Sequence, residues 1–168
     1  MSQKQEKDKV NLKKGTIHQT ITTAREIMNN DFLIYTPKLK SNILSQGLTA
    51  VLKLKMGFFT DKERMWNQNF NLKRKIVDPD FIATDAIEIS MGGNQMTQHS
   101  CQLGLMVMEK NPVAHDAVCA RILNLDPWKI DHIRMAHERG YGRWELILDA
   151  YFFLFISWCR KILKGRFR

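Results

Sequence analysis

The chain changes period once, at Lys110-Asn111-Pro112, and that change limits its fold more than any other feature. Ahead of it, apolar residues recur at every second position, the spacing of strands that bury one face. Behind it the spacing is helical. Ile17, Gln19 and Ile21 alternate with Thr16, His18, Thr20 and Thr22, a β-branched run that predicts a strand. Ala24 to Met28 predicts one helical turn, Asn29-Asn30-Asp31 a turn, and Phe32 to Tyr35 a short buried strand stopped before Pro37. The clearest alternation is at residues 48–59, with Ala50, Leu52, Leu54 and Met56 on one face and Thr49, Val51, Lys53 and Lys55 on the other. Phe70, Leu72, Arg74 and Ile76 repeat it against Asn71, Lys73, Lys75 and Val77. Ile87, Ile89 and Met91 lead into Gly92-Gly93, a hairpin signal, and Cys101, Leu103, Leu105 and Val107 alternate again.

The expected architecture is α+β. An antiparallel β-rich N-terminal part (15–110) is followed by a C-terminal helical hairpin and a terminal helix (111–168), in one domain behind a flexible basic arm of residues 1–14. A chain of 168 residues can bury about 68–70% of its unfolded surface, enough for a real core. Its 44% hydrophobic content argues against wholesale disorder. Cys101, Cys119 and Cys159 are odd in number and widely spaced, which predicts reduced thiols rather than a disulfide framework. Met1 to Lys14 has no apolar region of the kind a secretory signal carries. A cytoplasmic location is expected, with the nucleus or a membrane surface as further options.

The net charge of +9 is concentrated. Residues 38–75 carry nine Lys/Arg against two acids and the last nine residues carry five against none, whereas residues 76–159 hold six bases and eleven acids. Focused positive charge attracts polyanions by Coulomb forces and counterion release. If the strands predicted at 48–59 and 70–77 are neighbours, Lys53, Lys55, Lys73, Arg74 and Lys75 form a nucleic-acid-binding set on and beside one sheet face. Phe58, Phe59, Trp66 and Phe70 would lie near its rim, where aromatic rings can stack on unpaired bases. The bland reading is that strand lysines guard an edge against aggregation and the aromatics are core.

In the helical part, Ala120 holds the place of a small residue at a helix crossing and Asn124 that of a left-handed turn residue. Asp126-Pro127 reads as a cap and first turn, and Gly140 as the stop of a second helix from Pro127 to about Arg139. Residues 117–140 therefore resemble a helix-turn-helix, which implies a DNA-binding regulator with residues 127–139 as recognition helix. Five bases and four acids over residues 111–144 favour instead a plain helical hairpin.

A last helix is expected from Arg143 or Trp144 to about Leu163. Twelve of the fourteen residues from Leu146 to Cys159 are apolar, and as a helix they span about 21 Å, short of a bilayer core of roughly 30 Å. Such a helix is either core or interfacial. In the interfacial case Trp144, Phe152, Phe153, Phe155 and Trp158 enter lipid, while Arg160, Lys161, Lys164, Arg166 and Arg168 meet anionic headgroups.

Catalytic signals are poor: no P-loop, dinucleotide fingerprint or nucleophile elbow occurs. Pro79-Asp80 with Glu88-Ile89-Ser90 lacks the lysine of a metal-dependent nuclease pattern. His99 with Cys101, and His115 with Cys119, lack a second ligand pair. No catalytic residue, metal site or cofactor is expected. In size and layout the chain resembles the matrix proteins of negative-strand RNA viruses, particularly the small ones of plant rhabdoviruses. That resemblance implies a non-enzymatic virion protein that self-associates, binds nucleoprotein or RNA and contacts membrane peripherally. An RNA-binding viral accessory protein is the alternative.

Overall fold

The computed structural model describes residues 7–11, 20–42, 46–58, 60, 78–92 and 97–143. Its architecture is α+β, as expected. Strand β1 (Lys7–Asn11) pairs antiparallel with β2 (Thr20–Ala24), from Lys7 opposite Ala24 to Asn11 opposite Thr20. Five residues of the stretch read as a free arm are thus paired, and Arg25 of the helical turn α1 (Arg25–Met28) holds Asp8 at 3.0 Å.

The main sheet is organised by β5 (Phe81–Met91), whose alternate residues Ile82, Thr84 and Ala86 are buried. On one side β5 pairs antiparallel with β6 (His99–Glu109), from Ile82 opposite Glu109 to Met91 opposite His99, with a register shift between Ala86 and Glu88. Gly104, at φ +66°, lies beside that shift on β6, in a conformation that costs glycine little. On the other side β5 pairs in parallel with β3 (Ile34–Tyr35) and then β4 (Lys38–Lys40). These two act as one broken edge strand: Pro37 has no amide to donate, yet its carbonyl accepts from Asp85 N at 2.9 Å. The sheet is therefore mixed.

Helix α3 (Pro112–Ile122) begins where the sequence period changes. Asn111 accepts from Val113 N at 2.9 Å and Ala114 N at 3.1 Å, with Pro112 in the first turn. Its residues Val113, Ala117 and Ala120 pack with Leu39, Leu48, Ala86, Ile89 and Val107 to form the core. Asn124 takes the left-handed conformation expected of it, φ +57°. Asp126 caps Trp128 N at 3.1 Å, but what it starts is a 3-10 turn, Pro127–Lys129. Extended backbone at Ile130 ends that turn, so helix α4 runs only over Asp131–Glu138. The predicted stop at Gly140 holds, at φ +72°.

The main correction concerns residues 48–59. Val51–Leu54 form helix α2 and Lys55–Phe58 a 3-10 turn, not a strand. The cause is Asp116 of α3, a fully buried carboxylate that accepts from Val51 N at 3.0 Å and Leu52 N at 2.9 Å. Two consecutive amides can reach one carboxylate at a helix start, whereas in a strand they point opposite ways. Ala50, at the cap position, offers no side-chain acceptor of its own. His115 Nδ1 lies 3.0 Å from Asp116, and His115 Nε2 lies 2.8 Å from Thr84 Oγ1 on β5. One buried polar chain thus links sheet, α3 and α2. Asp116→Ala leaves a buried amide, a part-buried amide and an imidazole nitrogen without their acceptor, so we expect a loss of about 3 kcal/mol in urea denaturation. Asp116→Asn, which keeps one carbonyl acceptor, should lose less.

Candidate functional site

Positive groups gather where β4, the 46–50 segment, α2 and the start of α4 meet. Lys40 forms a two-way backbone bridge with Thr49, the two hydrogen bonds being 2.9 and 3.4 Å. This ties the end of β4 to the entry of α2. Gln46 does the same for α4, donating to Asp131 Oδ2 at 2.8 Å and accepting from Asp131 N at 2.6 Å. Gly47, at φ +100°, sits between these ties, and a Cβ there would stand 2.9 Å from Leu125 Cδ1. The positive φ is what favours glycine there.

Within this frame Lys53 is part-buried, and both its burial and the neighbouring Lys40 weaken its hold on a proton. His132, at the start of α4, is buried and its pKa is lowered from 6.5, first by desolvation. Asp116 and Asp131 pull the other way, and Lys53 adds to the lowering. Among the described residues no carboxylate forms an ion pair with Lys53. The nearby acids are engaged elsewhere: Asp116 with the α2 amides and His115, and Asp131 with Gln46 and with Arg134 at 2.6 Å.

Lys55 differs. It forms an ion pair with Asp78, and that pair joins the two ends of the connection between Phe58 and Asp78. Phe58 meets Tyr35 with ring centroids 5.5 Å apart, beside Val51 and Ile82, so it is core and not a rim residue. Lys73, Arg74, Lys75, Phe59, Trp66 and Phe70 lie outside the described residues, as do Trp144, Phe152, Phe153, Phe155, Trp158, Arg160, Lys161, Lys164, Arg166 and Arg168. The predicted lysine sheet face is not formed by Lys53 and Lys55, which stand on helical turns. Lys40 was legible only as one member of a basic stretch, and Asp116 only as an acid in the middle of an apolar helix.

His115 and Cys119 are one turn apart and buried, with Sγ 3.7 and 3.8 Å from the ring nitrogens, and burial pushes the thiol pKa well up. A thiol so placed is a packing residue. His99 and Cys101 are exposed on β6. Asp80 accepts from Leu33 N at 2.8 Å, and Glu88 bonds Ser100 across the β5–β6 ladder. Among the described residues no cluster of three or more His, Cys, Asp or Glu could hold a metal, and no helix is long and apolar enough to cross a membrane.

Residues 1–121 match a domain of unknown function, DUF362. The chain belongs to the DUF362 family. No curated protein and no solved structure matches it. The DUF362 match takes in both sheets, α2 and nearly all of α3, hence the whole Thr84–His115–Asp116 chain. It replaces the resemblance to viral matrix proteins, which rested on size and layout without a motif. In the stretch that resembles a helix-turn-helix, the expected helix 127–139 is a 3-10 turn followed by the shorter α4. α4 buries His132, Ile133 and Ala136, and its outward Arg134 is held by Asp131 and by Glu138 at 3.4 Å.

The lowered pKa of His132 fixes a sign. The unfolded chain binds this proton more readily than the folded one, so stability falls as pH drops below about 6.5. Asp131, held below its ordinary 3.8 by Arg134 and Gln46, keeps its contribution throughout this range and loses it only as pH falls below about 3.8. Urea midpoints measured from pH 7.5 to 5 should decline for the native chain, and His132→Gln should flatten that decline.

Proposed function

We propose that this DUF362 protein is a non-catalytic binding protein for single-stranded nucleic acid, with Lys40 and Lys53 as the contact point within the fold. The observation that carries this reading is where the charge lies. Residues 38–75 carry nine Lys/Arg against two acids. Within that stretch Lys40 and Lys53 are close enough to repel one another, neither forms an ion pair among the described residues, and Lys53 stands just ahead of the connection clamped by Lys55 and Asp78.

That connection contributes Lys62, Arg64, Lys73, Arg74 and Lys75 against Asp61 and Glu63, together with Phe59, Trp66 and Phe70. Cations that track a phosphate backbone, interleaved with rings that stack on bases, are what sequence-tolerant binding of an unpaired strand requires. Lysines kept close together without a carboxylate repel one another in the free protein, and a phosphate relieves that repulsion on binding.

Fluorescence anisotropy of a labelled single-stranded RNA against the full chain tests the reading. The expected result is salt-dependent binding whose log–log slope loses about 0.7 for each phosphate contact removed in Lys40→Glu and Lys53→Glu. Equal affinity and equal slope in the double variant would overturn it.

A further inference from the structure

Strand β6 lies at an edge of the main sheet. Among the described residues it pairs only with β5, so its other side offers a row of backbone N–H and C=O groups to a further strand. Edges are ordinarily kept from pairing with another chain by short length, lysine, proline or a bulge. Of these β6 has only the bulge: it is eleven residues long, mostly exposed, and contains no lysine, arginine or proline. Its side chains Met106 and Met108 are apolar, yet 39 and 42% exposed.

The hydrogen bonds of β5 show which groups of β6 point to the free edge. Asp85 N donates to Pro37 O at 2.9 Å and Ser90 O accepts from Ser41 N at 2.8 Å, both on the side away from β6. In an antiparallel pair the N–H and C=O of one residue point the same way, and facing residues alternate between hydrogen-bonded and non-hydrogen-bonded pairs. Asp85 faces Met106 and Ser90 faces Ser100, so neither pair is hydrogen-bonded, and Met106 and Ser100 turn their backbone groups outward. Alternation adds Met108, and Gln102 on the far side of the register shift. The outward set is symmetric about Gly104. That residue is the left-handed one of the bulge, φ +66°, and a Cβ on it would meet nothing within 4 Å. Glycine inside a strand marks a bulge or a place where another backbone comes close.

A two-fold axis through Gly104, perpendicular to the sheet, brings the strand against a copy of itself with all four outward residues matched. Ser100 faces the partner's Met108 and Gln102 faces the partner's Met106, each pair closing two hydrogen bonds. The two bulges coincide at the axis. No other antiparallel register matches more than two of the four. In this one His99 stands opposite the partner's Glu109, so the only acid of the strand meets an imidazole at both ends.

We propose that this protein forms a two-fold homodimer in which β6 pairs antiparallel with β6 of a second copy, centred on Gly104, joining two main sheets into one. The inference is independent of the nucleic-acid reading, since Lys40 belongs to β4 on the other side of β5. Sedimentation velocity of the full chain over a concentration series reads the state. Gln102→Pro removes an amide that points to the partner and not to β5, so it should yield a monomer with an unchanged far-UV circular dichroism spectrum, where the native chain is a dimer. Register is read separately by oxidising a chain that carries His99→Cys and Glu109→Cys together with Cys101→Ser and Cys159→Ser. The two introduced thiols stand at opposite ends of β6, about 34 Å apart, too far to join within one chain. Across the axis they form a non-hydrogen-bonded pair, close enough for a disulfide, and a 99–109 bond between two chains is the expected product. If Gln102→Pro changes the spectrum, the disulfide decides alone. A native monomer, a dimer that Gln102→Pro leaves folded and intact, or an oxidised product without the 99–109 bond overturns the proposal.

Discussion

Asp116 is the group on which the arrangement of the described fold depends. A fully buried carboxylate is tolerated only when its oxygens are occupied, and here they accept from two amides of α2 and lie against the His115 ring. The ring in turn meets Thr84 of the central strand. Hydrophobic packing holds α3 against the sheet without specifying how the 46–58 segment should lie; the carboxylate supplies that direction. The polar chain therefore decides geometry, while the surrounding Leu48, Ala50, Val113 and Ala117 provide the burial.

The parts of this fold that local chemistry determines were readable in advance. Asn111-Pro112 begins a helix because a side-chain cap and a pre-set φ need nothing from elsewhere. Asn124 and Gly140 adopt the left-handed conformations their residue types permit. The β5–β6 ladder follows from long alternation on both strands. The failure at residues 48–59 has an equally physical origin. Leu-Lys-Leu-Lys alternation is compatible with a strand, but the tie-breaker is a carboxylate more than sixty residues away, which no local pattern contains. The same holds for the candidate site: the basic stretch was visible, but which lysines lack a counter-charge depends on where Asp78, Asp85 and Asp131 fall.

Membership of DUF362 gives the buried chain a wider setting without naming an activity. Thr84, His115 and Asp116 all fall within the matched residues, whereas His132 and the rest of α4 fall beyond them. The residues that orient α2 thus lie within the matched domain.

Sheet topology explains why the cations collect where they do. β4 and β5 run parallel, and parallel neighbours cannot be joined by a tight turn; they need a long crossover. That crossover spans residues 41–80 and must first pack against the sheet, which α2 and Phe58 accomplish under the direction of Asp116. Lys55 of that segment pairs with Asp78, which ties the two described ends of the connection together. Lys40 and Lys53 stand at the start of this crossover, so the parallel pairing that makes the crossover necessary also places this lysine pair ahead of the basic residues 62–75 in the chain.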